Sequence, residues 1–396
     1  MTIYIDARFT FRYPYNYLLE SLETAYRIFP RRCTSPFACT GKEPCDTMGD
    51  LVAINDFVND WTHLQKTNNP LFCAQSCVFE NNRQTAAAQF GYFTLKGEQY
   101  PVQELTLFDI GAITRYFTFY ATNNVIKKLS LPATAPVQSV QPEFSGLRPI
   151  RGEPVQRVDL STVTIAQLLR HTSGLPETIQ LDDKDDRESV LRKIYVSPFE
   201  SAPGTRTRKS IIGYTLLGVV LETLTGRPLS LVFSDQILNE IPLVETGFRP
   251  LMRGSVAALP IPREGIAPTF SLDNPKEMRI GVTSDPLCAK LSGVSGESGL
   301  FSTAHEVAAG GAFLLRKIMK KEFSPSDPLS FLEPSRRAQP SDWHVFLSRT
   351  GCILLTNTTS ETVFALLSNG GEDAETCFLD GWRERFRNSH LLPTVL

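Results

Sequence analysis

The sequence has no long apolar run. No stretch of about 18 residues is apolar enough to span a bilayer, and the N-terminal segment carries Asp6, Arg8 and Arg12 where a signal peptide would be apolar. We therefore expect a cytoplasmic protein without a membrane partner. The sequence also has no large excess of charge of either sign. Its 40 Lys and Arg against 42 Asp and Glu give a net charge of -2, which argues against nucleic acid as a partner.

Residues that bind metals are few and are not grouped. The chain has five histidines and eight cysteines, and no two cysteines form a Cys-x-x-Cys pair. This spacing disfavours a zinc site, and in a chain without an export signal the cysteines are expected to be reduced. We expect no metal and no cofactor. A repeat of fixed period is also missing, which argues against a solenoid.

The apolar patterns predict strands near both ends of the chain and helices between them. Residues 1–50 are expected to be an N-terminal extension with an amphipathic helix around 16–29, and 51–65 has a helical period. Strands are indicated over 71–95 and in three runs near the C-terminus, before a closing helix in "GWRERFRNSH". We therefore predict an α/β (α+β) domain over 51–396. Its antiparallel sheet is built from both chain ends, and a helical region of roughly 116–290 is inserted.

Three helices are marked by their ends. "TVTIAQLLRHTSGLP" (162–176) begins at threonine caps and is expected to end at Gly174. "SIIGYTLLGVVLETLTG" (210–226) is apolar almost all round, which predicts a buried helix. "STAHEVAAGGAFLLRKIMKK" (302–321) opens with the cap Thr303, and Glu306 follows three residues later as in a capping box.

Seven short segments, taken in their order and spacing along the chain, form one recognisable pattern. They are "LTLFDIGAITR", "NNVIKKLSLPATAPV", "LLRHTSGLP", "APGTRTRKSIIGYTLLGVVLETLTGRPL", "ETGF", "SGLFSTAHEVAAGGAFLL" and "SRTGCILLTN". This set, which runs from roughly residue 85 to 370, resembles the serine β-lactamase and penicillin-binding-protein superfamily, especially its class C, esterase and acyltransferase branch. The resemblance implies a β-lactamase/transpeptidase-like fold, with an antiparallel sheet flanked by helices.

Active members of that superfamily carry three catalytic elements, and the matching positions here are altered. Ser-x-x-Lys is matched by Ala112–Arg115, Tyr-x-Asn by Lys209-Ser210-Ile211, and Lys-Thr-Gly by Arg349-Thr350-Gly351. Alanine has no nucleophilic atom, and arginine stays protonated and cannot replace lysine as a base. No lysine elsewhere in the chain has a serine three residues before it. We therefore predict that acyl-enzyme hydrolysis by the family mechanism is absent.

The resemblance implies that Arg115, Lys209 and Arg349 converge on one cleft. A Lys209 held neutral by burial and by two neighbouring cations could take a proton, while the arginines stabilise an enolate or a carboxylate. This favours an isomerase, lyase or cyclase of small-molecule biosynthesis, with a mainly apolar substrate that carries a carbonyl or carboxylate. The predicted substrate contacts are Ala112, Tyr116, Ser210, Glu297, Thr350 and Gly351.

Two other functions remain open at this point. One is a non-catalytic binding or regulatory protein in which the cations pair with Asp109, Glu177 or Asp285. The other is a hydrolase or acyltransferase that uses another nucleophile, for which Ser210 and Thr114 are the candidates. Glu297 lies where the family has a glycine-rich loop near the site and is a further acid/base candidate. His171 belongs to a segment that is a structural turn in the family.

Overall fold

A computed structural model describes residues 72–238, 240–241, 243–252, 263–270, 278–320, 343–357 and 360–370, together with Asp56, Val58 and Asp60. The chain divides into two compact units, residues 1–46 and 47–396, and every described residue lies in the second. The predicted helix at 16–29 and the predicted closing helix lie outside the described residues.

Thirteen strands occur in the described part of the chain. In chain order they are β1 (Cys73–Glu80), β2 (Arg83–Leu95), β3 (Glu98–Pro101), β4 (Phe108–Asp109), β5 (Leu147–Ile150), β6 (Glu153–Asp159), β7 (Gly247–Phe248), β8 (Thr269–Phe270), β9 (Met278–Arg279), β10 (Leu300–Ser302), β11 (Trp343–Ser348), β12 (Cys352–Asn357) and β13 (Thr362–Ser368). Seven α-helices accompany them: α1 (Thr114–Lys128), α2 (Ile165–Leu169), α3 (Arg187–Val196), α4 (Ile211–Thr225), α5 (Leu229–Phe233), α6 (Pro286–Lys290) and α7 (Ala304–Met319).

The main sheet has six antiparallel strands in the order β11-β12-β13-β1-β2-β3. β1 therefore pairs with the last strand of the sequence, in a register that runs from Ala74 opposite Ser368 to Glu80 opposite Thr362. Both central strands are buried on both faces, as their β-branched and aromatic residues require. The prediction of one sheet built from both chain ends is confirmed.

Helix α7 packs on one face of this sheet, against β1, β12 and β13. Two glycines allow the close approach. A Cβ on Gly311 would lie 2.8 Å from Val363 of the sheet, and a Cβ on Gly310 would lie 2.8 Å from Phe117 of α1. Helix α7 is therefore held between the sheet and α1, and the helices of the inserted region pack behind α1.

The predicted helix ends are confirmed in part. Ser210 caps α4 through its Oγ, which accepts the Gly213 N–H at 3.0 Å, and Gly226 ends that helix in a left-handed conformation. Helix α2 ends at Leu169, earlier than predicted, because His171 has a φ of 54° that no right-handed helix contains.

Thr303 accepts the Glu306 N–H at 3.2 Å, as a helix cap does. The Glu306 carboxylate, however, faces another loop, where it accepts backbone N–H groups of residues 244–246. No single helix among the described residues is long and apolar enough to cross a bilayer. The pair Ile211–Thr225 and Leu229–Ile237, bent by 82°, passes that test only when the two are taken together, by length and composition.

Candidate functional site

The segment 107–117 forms the centre of the site. β4 leads into a 3-10 turn, Gly111–Ile113, and then into α1. Ala112 is partly exposed at this turn, and its N–H donates a hydrogen bond of 3.1 Å to the Ser348 Oγ at the end of β11. The main sheet and the first helix therefore meet at residue 112.

Two residues at and just after the end of β11, Ser348 and Thr350, lie beside this turn. Their hydroxyl oxygens are 2.9 Å apart, and both residues are buried. Gly111 has a φ of 48°, and a Cβ there would lie 2.1 Å from the Ser348 Oγ and 2.9 Å from the Thr350 Cγ2. Only glycine fits this position, both for its backbone conformation and for the space that Ser348 takes.

Asp109 fixes the start of the turn. Its Oδ1 accepts the Gly111 N–H at 3.0 Å, and its Oδ2 accepts the Ser284 N–H at 2.6 Å and the Ser284 hydroxyl at 2.9 Å. Burial raises the pKa of Asp109, and these hydrogen bonds oppose that shift. Asp285, another predicted partner for the cations, caps α6 at the Cys288 N–H. Both carboxylates therefore have structural roles here.

Arg115 is buried, with only 3% of its surface exposed, and points into the protein. Its Nε donates to the Ala112 carbonyl at 3.1 Å and lies 3.7 Å from the Glu297 Oε1. The Glu297 side chain is 3% exposed, so this is a buried ion pair. Glu297 holds the Arg115 guanidinium in the interior, and the convergence of Arg115 with Lys209 and Arg349 on one cleft stays a prediction.

His171 completes this cluster. Its Nδ1 accepts the Ser210 N–H at 3.2 Å, and its Nε2 lies 3.4 Å from the Arg115 Nη1. The ring therefore links the start of α4 to the buried Arg115. Its left-handed backbone and its carbonyl, which accepts the Arg208 N–H at 2.9 Å, agree with the predicted structural turn.

Three further residues proposed from the sequence, Ser210, Lys209 and Arg349, differ in burial. Ser210 is buried, and its Oγ donates to the Pro176 carbonyl at 2.7 Å, so it holds the turn and the helix start. Lys209 is only partly buried, and Arg349 is exposed. Gly351, two residues after Arg349, has a φ of 89° and lies in the turn from β11 into β12.

Tyr116 and Thr114, both proposed from the sequence as functional residues, belong to the core. The Tyr116 hydroxyl donates to the Gly311 carbonyl at 3.2 Å, and its ring packs edge-on against Phe346. Burial raises the pKa of Tyr116. Thr114 is completely buried, and its Oγ1 accepts the Leu300 N–H at 3.3 Å. Neither side chain reaches solvent, so neither contacts a ligand in this conformation.

Three separate parts of the sequence meet at the site. They are the turn at Ala112, the end of β11 with the turn after it at Ser348–Gly351, and the contact between His171 and Ser210. The family model described as Beta-lactamase matches residues 71–383, which includes all three parts. The chain belongs to the beta-lactamase family. The resemblance found in the sequence and the fold class predicted from it are both confirmed.

Two solved structures share the fold of this chain. The chain is similar to EstCE1, described as a hydrolase with promiscuous acyltransferase activity, with a TM-score of 0.63 and 16% identity over 84% of this chain and 99% of that one. It is also similar to a class C beta-lactamase in complex with cefoxitin, with a TM-score of 0.60 and 15% identity over 84% of this chain and 99% of that one. At these identities the likeness concerns the fold.

Curated relatives of this beta-lactamase-family chain carry hydrolase names. A putative D-alanyl-D-alanine carboxypeptidase of Salmonella paratyphi A is 26% identical over 219 residues, which are 51% of this chain and 49% of that protein. The chain thus matches about half the length of this relative.

Sequence reasoning missed Ser348. No local pattern marks it, because β11 ends at Ser348 and Thr350 lies in the turn that follows. The sequence could not show that these two hydroxyls lie against Gly111 and Ala112. The site of this beta-lactamase-family protein therefore includes a hydroxyl pair beside residue 112.

Proposed function

We propose that the protein is a non-hydrolytic member of the beta-lactamase family whose site beside Ala112 binds a small apolar acid without covalent chemistry. The proposal rests on the identity of residue 112 and the ion pair of residue 115. A methyl group occupies the place where the family mechanism needs a hydroxyl, and the Arg115 guanidinium is committed to Glu297. Neither half of a nucleophile–base pair is available there.

The hydrogen bond of Ala112 gives further support. Acyl transfer needs backbone N–H donors aimed at the oxygen that becomes negative in the transition state. The Ala112 N–H donates to the Ser348 Oγ instead. An incoming carbonyl would have to displace that hydroxyl, which is buried and also bonded to Thr350. The donor that such chemistry would use is therefore already occupied.

The hydrolase alternative depends on a different nucleophile, and the two candidates are unsuited. Thr114 and Ser210 are both buried, with exposures of 0% and 1%. Each oxygen is engaged, Thr114 with the Leu300 N–H and Ser210 with the Gly213 N–H and the Pro176 carbonyl. A substrate carbonyl cannot reach either atom without unfolding a helix start.

The isomerase, lyase or cyclase alternative depends on a base. Lys209 is partly exposed, whereas Arg115 and Glu297 are buried. Burial raises the pKa of Tyr214, whose ring lies 4.9 Å from that of His171, so this phenol does not ionise near neutral pH. Glu297 is held by Arg115. We therefore propose binding rather than turnover.

The proposed ligand class follows from the charges on the solvent side. Arg349 is exposed at the end of β11, directly between the two residues whose hydroxyls lie against the Gly111–Ala112 turn. A guanidinium at this place favours a carboxylate through paired charge-assisted hydrogen bonds. The partly exposed Ala112 methyl presents an apolar surface beside it. An acid with an apolar body matches both groups.

Reactivity tests the first part of the proposal. The protein is expected neither to hydrolyse nitrocefin or p-nitrophenyl esters above background nor to be labelled by penicillins or fluorophosphonates. A class C beta-lactamase treated in parallel serves as the positive control. Stoichiometric labelling of any serine, located by mass spectrometry, would contradict the proposal.

Calorimetry with octanoate tests the ligand class, with octanol as the matched uncharged probe. We expect saturable binding of octanoate and much weaker binding of octanol. Arg349→Ala is expected to weaken octanoate binding while the melting temperature stays almost unchanged, and Arg349→Lys should keep part of the affinity. Equal binding of octanoate to the wild type and to Arg349→Ala would refute the role of this arginine.

A further inference from the structure

An unpaired sheet edge lies far from the site at Ala112, on strand β2. One side of β2 pairs with β1 from Arg83 to Gly91. On its other side, β3 pairs only with Tyr92–Leu95, the last part of the strand. Among the described residues no strand pairs with that side of residues 83–90. A row of backbone N–H and C=O groups is therefore open to a further strand.

The side chains along this edge do nothing to repel such a strand. Residues 84–90 read Gln-Thr-Ala-Ala-Ala-Gln-Phe, with no charge and no proline. Thr85, Ala87 and Gln89 are exposed. Natural monomers protect exposed edges with lysine, proline, bulges or short strands. The single irregularity in the pairing of β1 with β2 leaves Thr85 without a β1 partner, and the edge is regular from Ala86 onward.

The sequence of this edge is complementary to itself. Two copies related by a two-fold axis must pair antiparallel, because the same strand is used by both. An axis through Ala87 places Ala86 opposite Ala88, Thr85 opposite Gln89, and Gln84 opposite Phe90. No like charges meet in this arrangement, and the alanines in the middle leave the two backbones free to approach.

We propose that a second copy of this chain pairs with β2, antiparallel and centred on Ala87, so that the two main sheets become one continuous sheet. Backbone hydrogen bonds supply most of the attraction, because alanine side chains bury little apolar area. A pair of strands covers less surface than the roughly 1,200–2,000 Å² of a stable interface. The dimer is therefore expected to dissociate on dilution.

Sedimentation velocity of the full chain tests the proposal. The chain has a mass of 44.1 kDa, and a species of twice that mass is expected to grow with concentration in the micromolar range. Ala87→Lys and Ala87→Glu each place two like charges face to face at the axis. Each is expected to weaken dimerisation by at least about tenfold. An equal mixture of the two variants should dimerise again, since Lys then faces Glu.

The matched control adds a charge to a different strand, at an exposed position. Val155, on β6, is 89% exposed, and Val155→Lys is expected to leave dimerisation unchanged. Circular dichroism verifies that each variant is folded. The double variant Thr85→Lys with Gln89→Lys, which brings two lysines face to face on each side of the axis, replaces any Ala87 variant that is not. A wild-type protein that remains monomeric at every concentration overturns the proposal. So does a dimer that survives both Ala87→Lys and Ala87→Glu, because its contact would lie elsewhere.

Discussion

The Nε of Arg115 lies 3.7 Å from the Oε1 of Glu297, and both side chains are almost completely buried. Arg115 occupies the position where the resemblance to active beta-lactamases places a lysine. The ion pair explains how the larger, permanently charged group is tolerated there, since an unpaired charge at this depth would be far too costly. A position used for chemistry in relatives is here part of the protein interior.

Breaking this pair is expected to destabilise the fold. Arg115→Met and Glu297→Leu each leave one buried charge without its partner, at a cost of about 3–5 kcal/mol. The double variant removes both charges and should recover most of that loss. Urea unfolding of the two single variants and the double variant measures the coupling.

The exposed pair of Arg192 and Glu188 on α3 provides the control for this measurement. Arg192→Met is expected to cost only about 0.3–0.5 kcal/mol, because water screens that pair. If the costs of Arg115→Met and Glu297→Leu simply add in the double variant, the two side chains are not energetically coupled.

Gly111 is expected to be irreplaceable. In Gly111→Ala the new Cβ would lie 2.1 Å from the Ser348 Oγ on a backbone with a φ of 48°. Strain and overpacking together should cost about 3 kcal/mol. Adding Ser348→Gly should recover part of the loss, because it removes the closest contact and leaves the backbone strain.

Gly97→Ala separates the two causes. Gly97 has a φ of 87° but no atom within 4 Å of a Cβ placed there, so its substitution carries backbone strain alone, about 1–2 kcal/mol. Thermal or urea unfolding compares the variants. Equal costs for Gly111→Ala and Gly97→Ala would show that contact with Ser348 is unimportant.

Ala112→Ser alone is expected to remain unreactive toward fluorophosphonates and nitrocefin. The new hydroxyl would have Arg115 as its neighbour, and a guanidinium that stays protonated cannot accept the serine proton. The backbone N–H of residue 112 would still donate to Ser348. Mass spectrometry after incubation measures labelling, and a modified Ser at position 112 would show that another group serves as the base.

Low pH is expected to reduce the folding stability that the loop before α3 contributes. The backbone N–H of Asp182 and the ammonium of Lys193 lower the pKa of Asp185 from 3.8 to about 2. Because the folded value lies below the unfolded one, this contribution to stability is complete above pH 3.8 and is lost as the pH falls toward 2. Asp185→Asn should therefore lose less stability than the wild type over that interval.

Urea midpoints measured at several pH values between 3.8 and 2 check this expectation. Lys193→Met removes one of the groups that lower the pKa of Asp185. The slope of its urea midpoint against pH should lie between the slopes of the wild type and Asp185→Asn. Identical slopes for the wild type and Asp185→Asn would mean that Asp185 does not contribute to the acid sensitivity.

Much of the architecture was predictable from local patterns. The apolar helix over 210–226 was predicted together with its glycine end, because periodicity and caps are local properties of the chain. The end of α2 was predicted wrongly. The left-handed conformation of His171, which ends that helix, is stabilised by contacts with Ser210 and Arg208, distant in sequence.

The sequence by itself determined the family, the sheet built from both chain ends, and the presence of Ala112 and Arg115 in the segment that leads into α1. These follow from residue identity and order. Only the tertiary structure decided which groups these residues contact. It turns Arg115 toward Glu297, leaves Lys209 partly exposed, and places Ser348 against Ala112. A long charged side chain takes the direction of its strongest partner, and that partner is 182 residues away in the chain, where no local pattern could identify it.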